Sequence, residues 1–202
     1  MKILCLYNND IALELFSWLK DSGHETALHS ERLTARWCQE RKFDLAVSYT
    51  YRYILEESVL KALEYNAVNI HTSYLPFNRG ADPNIWSVID GTPRGVTLHY
   101  IDVRLDHGDI IAQVLAPGSS KATLATSYEE LDRAAKRLFK DAFQYYPFWS
   151  AMRKSVKGVG NYHKSAEAKA LKESVPSYDI SVDDFKALSA GILHGVGSKG
   201  KL

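Results

Sequence analysis

The sequence predicts an α/β fold: a Rossmann-like, open, twisted, mostly parallel sheet with helices on both faces, plus a small C-terminal extension. Three observations predict it. Short apolar runs alternate with stretches of helical periodicity through the first half of the chain. Of the 202 residues, 46% are apolar, enough to fill a core and too many for a disordered chain. After residue 153 the composition turns richer in Gly, Ser and Lys. These shifts lay out a main domain over 1–153, a small extension over 154–194 and a flexible tail over 195–202.

Residues 2–7 form the first strand, closed by the polar turn Asn8-Asn9-Asp10. Asp10 is placed to cap the helix that follows, where Ala12, Leu13, Leu15, Phe16 and Leu19 recur at helical spacing. Gly23 stands where a helix end favours a left-handed residue. A second strand is expected over 24–29, a helix over 33–41, a third strand over 43–48, a helix over 55–64 and a fourth strand over 67–71. Strands separated by helices pair in parallel through right-handed crossovers. Ligands of such sheets bind beyond the carboxyl ends of the strands, which directs attention to the residues after Ile70.

Further along, the pattern gives a short helix over 84–89, an alternating strand over 95–101, a turn over 105–108 and a strand over 110–115. Residues 127–152 read as one long helix, with Ser127 as cap, Glu130 as its capping-box partner and Pro147 ending or kinking it. The extension holds an extended piece at Tyr162-His163 and weaker helices over 167–173 and 182–193.

Composition narrows the function classes. There are 25 basic and 24 acidic residues, a net charge of +1, and so no electrostatic footprint for nucleic acid or an anionic membrane. No apolar run reaches the ~18 residues a membrane-spanning helix needs. The first apolar run turns polar too early for a secretory leader. Cys5 and Cys38 have no metal-like spacing and read as inert thiols of a reducing cytoplasm.

Three segments stand out chemically. Asn69 and His71 lie two apart on a strand, so both side chains leave the same face of an otherwise apolar run. Residues 73–80 form a turn rich in rigid and permissive residues. Residues 105–110, Leu-Asp-His-Gly-Asp-Ile, form a tight acidic turn between two strands. Each alone has an ordinary explanation, as core polar groups or turn formers.

In order and together they carry more. Asn69-x-His71 is followed by Ser73-x-Leu75-Pro76, by Arg79-Gly80, by the strand Gly95-Val96-Thr97-Leu98-His99 and by Leu105-Asp106-His107-Gly108-Asp109-Ile110. This succession resembles the folate-dependent formyltransferase family, strongly over about 67–113 and weakly before it. Thr72 stands where the family usually has Pro, which removes no chemical group.

The resemblance implies that Asn69, His71 and Asp106 are the catalytic triplet. A neutral amine attacks the formyl carbon and an oxygen turns negative. Asn69 can donate to that oxygen, His71 can polarise it or relay a proton, and Asp106 can orient His71 and accept a proton. It further implies 10-formyltetrahydrofolate as formyl donor, bound by Leu75, Arg79, Leu105, His107, Gly108, Asp109 and Ile110, and no metal. His99 reads as structural or supporting, and His107 as exposed at the variable position of the turn.

Three acceptor amines are weighed. Charged methionyl-tRNA calls for a basic second domain, and this short, neutral sequence sets it aside. Glycinamide ribonucleotide calls for a glycine-rich phosphate loop after the first strand, whereas Asn8-Asn9-Asp10 has no glycine and carries a carboxylate. The family's third acceptor, a nucleotide-linked amino sugar, fits the pattern Arg79-Gly80-x-x-Pro83-x-x-Trp86 and the segment around Tyr162-His163. Asn8, Asn9, Asp10, Tyr74, Phe77, Asn78, Gly80, Trp86, Tyr162 and His163 are the acceptor-side candidates. The expected reaction formylates a 4-amino-4,6-dideoxyhexose on dTDP or UDP, in cytoplasmic polysaccharide biosynthesis. Phosphoribosylglycinamide formyltransferase of purine synthesis and a formyl-folate hydrolase are the alternatives. The aromatic cluster Phe143, Tyr145, Tyr146, Phe148 and Trp149 reads as core or subunit contact, which leaves a homodimer open.

Overall fold

The computed structural model describes residues 1–116, 118, 122–175 and 177–197. The chain divides into two compact units that interleave along the sequence. The first holds 1–71, 97–113 and 135–157, and the second holds 72–96, 114–134 and residues from 158 onward. Neither coincides with the consecutive segments 1–153 and 154–194. Of the tail laid out over 195–202, residues 198–202 lie outside the described residues.

The elements follow the expected alternation: β1 (Lys2–Leu6), α1 (Leu13–Asp21), β2 (Glu25–His29), α2 (Ala35–Arg41), β3 (Leu45–Ser48), α3 (Glu57–Ala62) and β4 (Ala67–His71). Then come β5 (Arg79–Gly80), α4 (Pro83–Asp90), β6 (Gly95–Tyr100), β7 (Ile110–Leu115), α5 (Leu124–Phe143), α6 (Trp149–Met152), β8 (Tyr162–His163), α7 (Ser165–Ser174) and α8 (Val182–Gly197). Among the described residues, six strands form one sheet in the order β2-β1-β3-β4-β6-β7. The pairs β1–β2, β1–β3 and β3–β4 are parallel, while β4–β6 is antiparallel. The mostly parallel sheet read from the alternation is therefore what the chain forms.

Local chemistry sets the element ends. Asn9, not Asp10, caps the turn before α1: its side-chain oxygen accepts from the Ile11 N–H at 3.0 Å, and Asp10 is the first residue of a 3-10 turn. Asn9 has the extended backbone a cap needs. Gly23 follows α1 at φ +88, as a left-handed helix terminator should. The long helix expected over 127–152 begins earlier and breaks sooner. Thr123 and Thr126 exchange cap bonds, with the Thr126 N–H donating to the Thr123 hydroxyl at 3.2 Å. Ser127 lies one turn inside, buried, its hydroxyl donating to Asn84 Oδ1 at 2.7 Å and accepting from Arg94 at 2.8 Å. Pro147 lies in a 3-10 turn over Tyr146–Phe148 that separates α5 from α6.

In the first unit, alternation splits the strand residues between two faces. Leu4, Leu6, Ala46 and Ala67 pack with Cys38 of α2 and with Leu55, Val59, Leu60 and Leu63 around α3. Ile3 and Cys5 point the other way and are fully buried. Helix α1 contributes the buried Leu15, Phe16 and Leu19, and Trp18 meets the rings of Phe139 and Phe143 edge-on. Each fully buried large aliphatic contributes about 1.5–3 kcal/mol relative to exposure. The second unit has its own core of Ile85, Trp86, Val88, Leu124, Ala168, Leu171 and Phe185, and a short parallel pairing of β5 with β8.

Candidate active site

The site begins with strand register. Ser48 on β3 pairs with Asn69 on β4, and Asn69 pairs with His99 on β6. Partners in register share a face, so three polar side chains form a row across the sheet near the carboxyl ends of the parallel strands. His71 follows two residues on, opposite Thr97. His71 and His99 are buried, at 7% and 2% exposure.

Asp106 arrives from the turn between β6 and β7. It has φ 53 and is 7% exposed. The Tyr100 N–H donates to the Asp109 carbonyl at 2.9 Å, closing the turn onto β6. Gly108 is required there, because a Cβ would fall 1.8 Å from the Tyr100 carbonyl oxygen. The carboxylate this turn presents lies between two imidazoles: Oδ2 is 3.8 Å from His71 Nε2, and Oδ1 is 3.6 Å from His99 Nε2.

His99 fixes the orientation of Asn69. Its Nδ1 is 2.8 Å from the Tyr100 carbonyl, which can only accept, so Nδ1 carries the proton. Nε2 is then free to accept from Asn69 Nδ2 at 3.4 Å. That contact uses one amide hydrogen of Asn69 and leaves the second for another acceptor. The group as a whole joins a hydrogen-bond donor, two imidazoles and a carboxylate. Such a set can stabilise an oxygen that gains charge and can move a proton.

A recess adjoins these groups, lined by Ser48, Asn69, His99, Asp106 and Leu105 and walled by the aromatic segment Tyr51–Leu55. Of the donor-side residues read from sequence, Leu105 lies here. His107, Gly108 and Asp109 line an adjoining cavity with Tyr100 and Arg153 that shares Ile101, Asp102 and Arg104 with the recess, and Ile110 bridges to Lys154. Leu75 and Arg79 belong to the second unit. The sequence reading missed Tyr51, Tyr53, Ile54, Leu55 and Arg104. Its one available signal was an aromatic loop directly after a parallel strand.

The acceptor-side candidates divide in the same way. Asn8, Asn9 and Asp10 are in the first unit. The side chains of Asn8 and Asn9 bond to backbone groups, and Asp10 is exposed. Tyr74, Phe77, Asn78, Gly80, Trp86, Tyr162 and His163 are in the second unit. Tyr74 packs where a Cβ on Gly95 would lie, and the Phe77 carbonyl accepts from the Ser73 hydroxyl. Asn78 is fully buried, donating to Thr92 Oγ1 at 2.7 Å and accepting from Asn161 at 2.9 Å. Gly80, at φ +93, lies under the Tyr162 ring. Trp86 is buried with His163 stacked on it at 3.8 Å, and Tyr162 is half-exposed. Among the described residues, no three His, Cys, Asp or Glu side chains are grouped to hold a metal ion.

The formyltransferase PseJ of Anoxybacillus kamchatkensis, solved with UDP-4,6-dideoxy-4-formamido-L-AltNAc and tetrahydrofolate, superposes with a TM-score of 0.80 at 33% identity, covering 93% of this chain and 100% of that one. The dTDP-4-amino-4,6-dideoxyglucose formyltransferase of Mycobacterium bovis is 30% identical over 65% of this chain and 55% of its own length. The methionyl-tRNA formyltransferase of Geobacillus sp. (strain WCH70) is 36% identical over 50% of this chain, which spans only 32% of that relative. The family model described as formyl transferase matches residues 8–143, more than half of the chain, and the protein belongs to that family.

Proposed function

We propose that this chain transfers a formyl group from 10-formyltetrahydrofolate to the amine of a nucleotide-linked amino sugar, a 4-amino-4,6-dideoxyhexose on dTDP or UDP. The observation that carries the reading is the convergence of Asn69, His71 and Asp106, with His99 among them, beside the aromatic recess. The choice of acceptor is supported by the likeness to PseJ across nearly the whole chain.

The recess suits a pteridine. Tyr51, Tyr53, Ile54, Leu55 and Leu105 offer apolar walls, and Ser48, Asn69 and Asp106 bring polar groups to one end. When bound, the donor supplies a one-carbon unit at the formyl oxidation level. The chain's own groups orient it and handle protons. The second amide hydrogen of Asn69 is available to an oxygen gaining negative charge. As the amine nitrogen bonds the formyl carbon and the bond to the folate nitrogen breaks, Asp106 would take up the amine proton, and His71 would polarise the oxygen or relay a proton to the departing folate nitrogen. We assign Tyr162 to the pyrimidine base, because its ring is open while Trp86 is covered by His163.

The loop after β1 gives glycinamide ribonucleotide no phosphate cradle, since its asparagines bond to neighbouring backbone. No helix among the described residues is long and apolar enough to cross a membrane. Burial pushes the thiols of Cys5 and Cys38 up to about 12 and about 11, which suits inert cysteines of a reducing compartment. We place the reaction in the cytoplasm. Titration with UDP, dTDP and glycinamide ribonucleotide tests the acceptor. Saturable binding of either nucleotide and none of the ribonucleotide is expected, and the reverse order of affinity refutes the reading.

A further inference from the structure

The turn after β1 contains no group that the chemistry above requires, yet its side chains are engaged. Asn8 Oδ1 accepts the Arg52 N–H at 2.9 Å, and Asn8 Nδ2 donates to the Ser30 carbonyl at 2.7 Å. One amide thus joins the segments that follow β2 and β3. Asn9 adds a second tie: its N–H donates to Thr50 Oγ1 at 3.2 Å, and the Thr50 hydroxyl donates back to the Asn9 carbonyl at 3.3 Å. Thr50 needs it, because φ 64 is unfavourable for a β-branched residue.

What these ties hold is the wall of the recess. Tyr51, Tyr53, Ile54 and Leu55 follow Thr50 directly and face the same space as Asn69, His99 and Asp106. The wall is braced outside as well. The Tyr51 hydroxyl donates to the Glu31 carbonyl, and the Tyr53 ring is flanked by the guanidinium groups of Arg32 at 5.4 Å and Arg52 at 5.2 Å. A loop without regular secondary structure frays unless side chains replace the missing ladder bonds.

We infer that Asn8, with Thr50, is a positioning residue for the formyl-donor recess: it sets the shape of the 51–55 wall by holding the Arg52 N–H, and does not contact the acceptor. The inference rests on the reading of the recess as the donor site. It assigns to the first turn a task different from the phosphate or sugar contact its place in the chain suggests.

The test uses the full chain carrying Asn8→Ala or Asn8→Asp, with two readouts. Hydrogen exchange of the amides over 50–55 reports the brace whether or not folate binds there. Titration with tetrahydrofolate reports the recess. Loss of a hydrogen bond of ordinary strength should raise the tetrahydrofolate Kd about five- to tenfold in Asn8→Ala. Exchange over 50–55 should quicken, while the KM for the nucleotide amino sugar changes less than about twofold. Asn8→Asp keeps the oxygen that meets Arg52 but sets a second oxygen against the Ser30 carbonyl, so it should recover only part of the lost affinity. Unchanged exchange over 50–55 in Asn8→Ala overturns the brace. So does an unchanged tetrahydrofolate Kd with a raised KM for the sugar, which would make Asn8 an acceptor contact. Quickened exchange in a protein whose wild type does not bind tetrahydrofolate would keep the brace and refute the donor reading.

Discussion

The chain assembles Asn, His and Asp twice, with opposite outcomes. In the first unit, Asn69, His71, His99 and Asp106 stand 3.4–3.8 Å apart, at the long edge of polar contact. In the second unit, Asn161, His163 and Asp90 are drawn tight. His163 Nε2 is 2.9 Å from Asp90, Asn161 Nδ2 donates to the same carboxylate at 2.5 Å, and the His163 ring stacks on Trp86 with 5° between the planes. His163 Nδ1 faces a second carboxylate, Glu167, at 3.4 Å. The tight cluster fastens a strand pairing, since β8 lies along β5 and Asn161 exchanges bonds with Asn78. The first cluster, by contrast, borders a recess. We take the same residue types as glue where short bonds tie a strand pairing, and as candidate reagents where they border a recess.

Substitutions can break that contrast. Among the hydrogen-bonding side chains Asn69 comes first: Asn69→Ala should lower kcat by about 10²–10³ through loss of one preorganised donor, with thermal stability unchanged. Steady-state rates and a melting curve on the same preparation check it. His99→Ala comes next. Because His99 orients Asn69 rather than meeting the reacting atoms, a loss of about 10–100-fold is expected, in line with other supporting partners of catalytic groups.

His163→Ala should behave in the opposite sense. Removing a partly buried, charge-assisted contact should cost about 1.5–3 kcal/mol of stability in chemical denaturation, with activity retained per folded molecule. A His163→Ala protein of normal stability and abolished turnover would erase the distinction between the two clusters.

A third histidine sharpens the comparison with the smallest effect. His29 Nε2 is buried with no hydrogen-bond partner among the described residues, and burial holds the ring below its ordinary pKa of 6.5. The unfolded chain therefore binds the proton first. The contribution of His29 to stability is intact above pH 6.5, falls as the pH drops through that value, and levels off once the folded ring also protonates. A variant with His29→Phe should show a shallower acid limb in denaturation curves, whereas an unchanged limb would assign the acid sensitivity elsewhere.

Much of this was legible beforehand, and the failures have physical reasons. The buried strands read true because apolar runs between helical periods have few alternatives, and β4 was bounded to the residue at Ala67–His71. Asn69 and His71 were legible as polar residues in such a run. Pairing direction was not: the alternation in β6 is the same whether it lies parallel or antiparallel to β4. Ser127 was misread as a cap because its buried bonds to Asn84 and Arg94 are tertiary, and sequence spacing carries no trace of them. The 51–55 wall escaped notice because an aromatic loop has no period, and its shape is set by ties to Asn8, Asn9 and Glu31 that arrive from other strands.

In the proposed reaction Asp106, held between two imidazoles, accepts the proton of an amine while it is formylated. The direct measurement is single-turnover transfer from 10-formyltetrahydrofolate to a UDP- or dTDP-linked 4-amino sugar, comparing the wild type with Asp106→Asn. The account predicts a formamide product from the wild type and a rate about 10²–10⁴ lower in the variant, with donor binding retained. Equal rates in the two proteins, or no formamide from any nucleotide amino sugar, would contradict it.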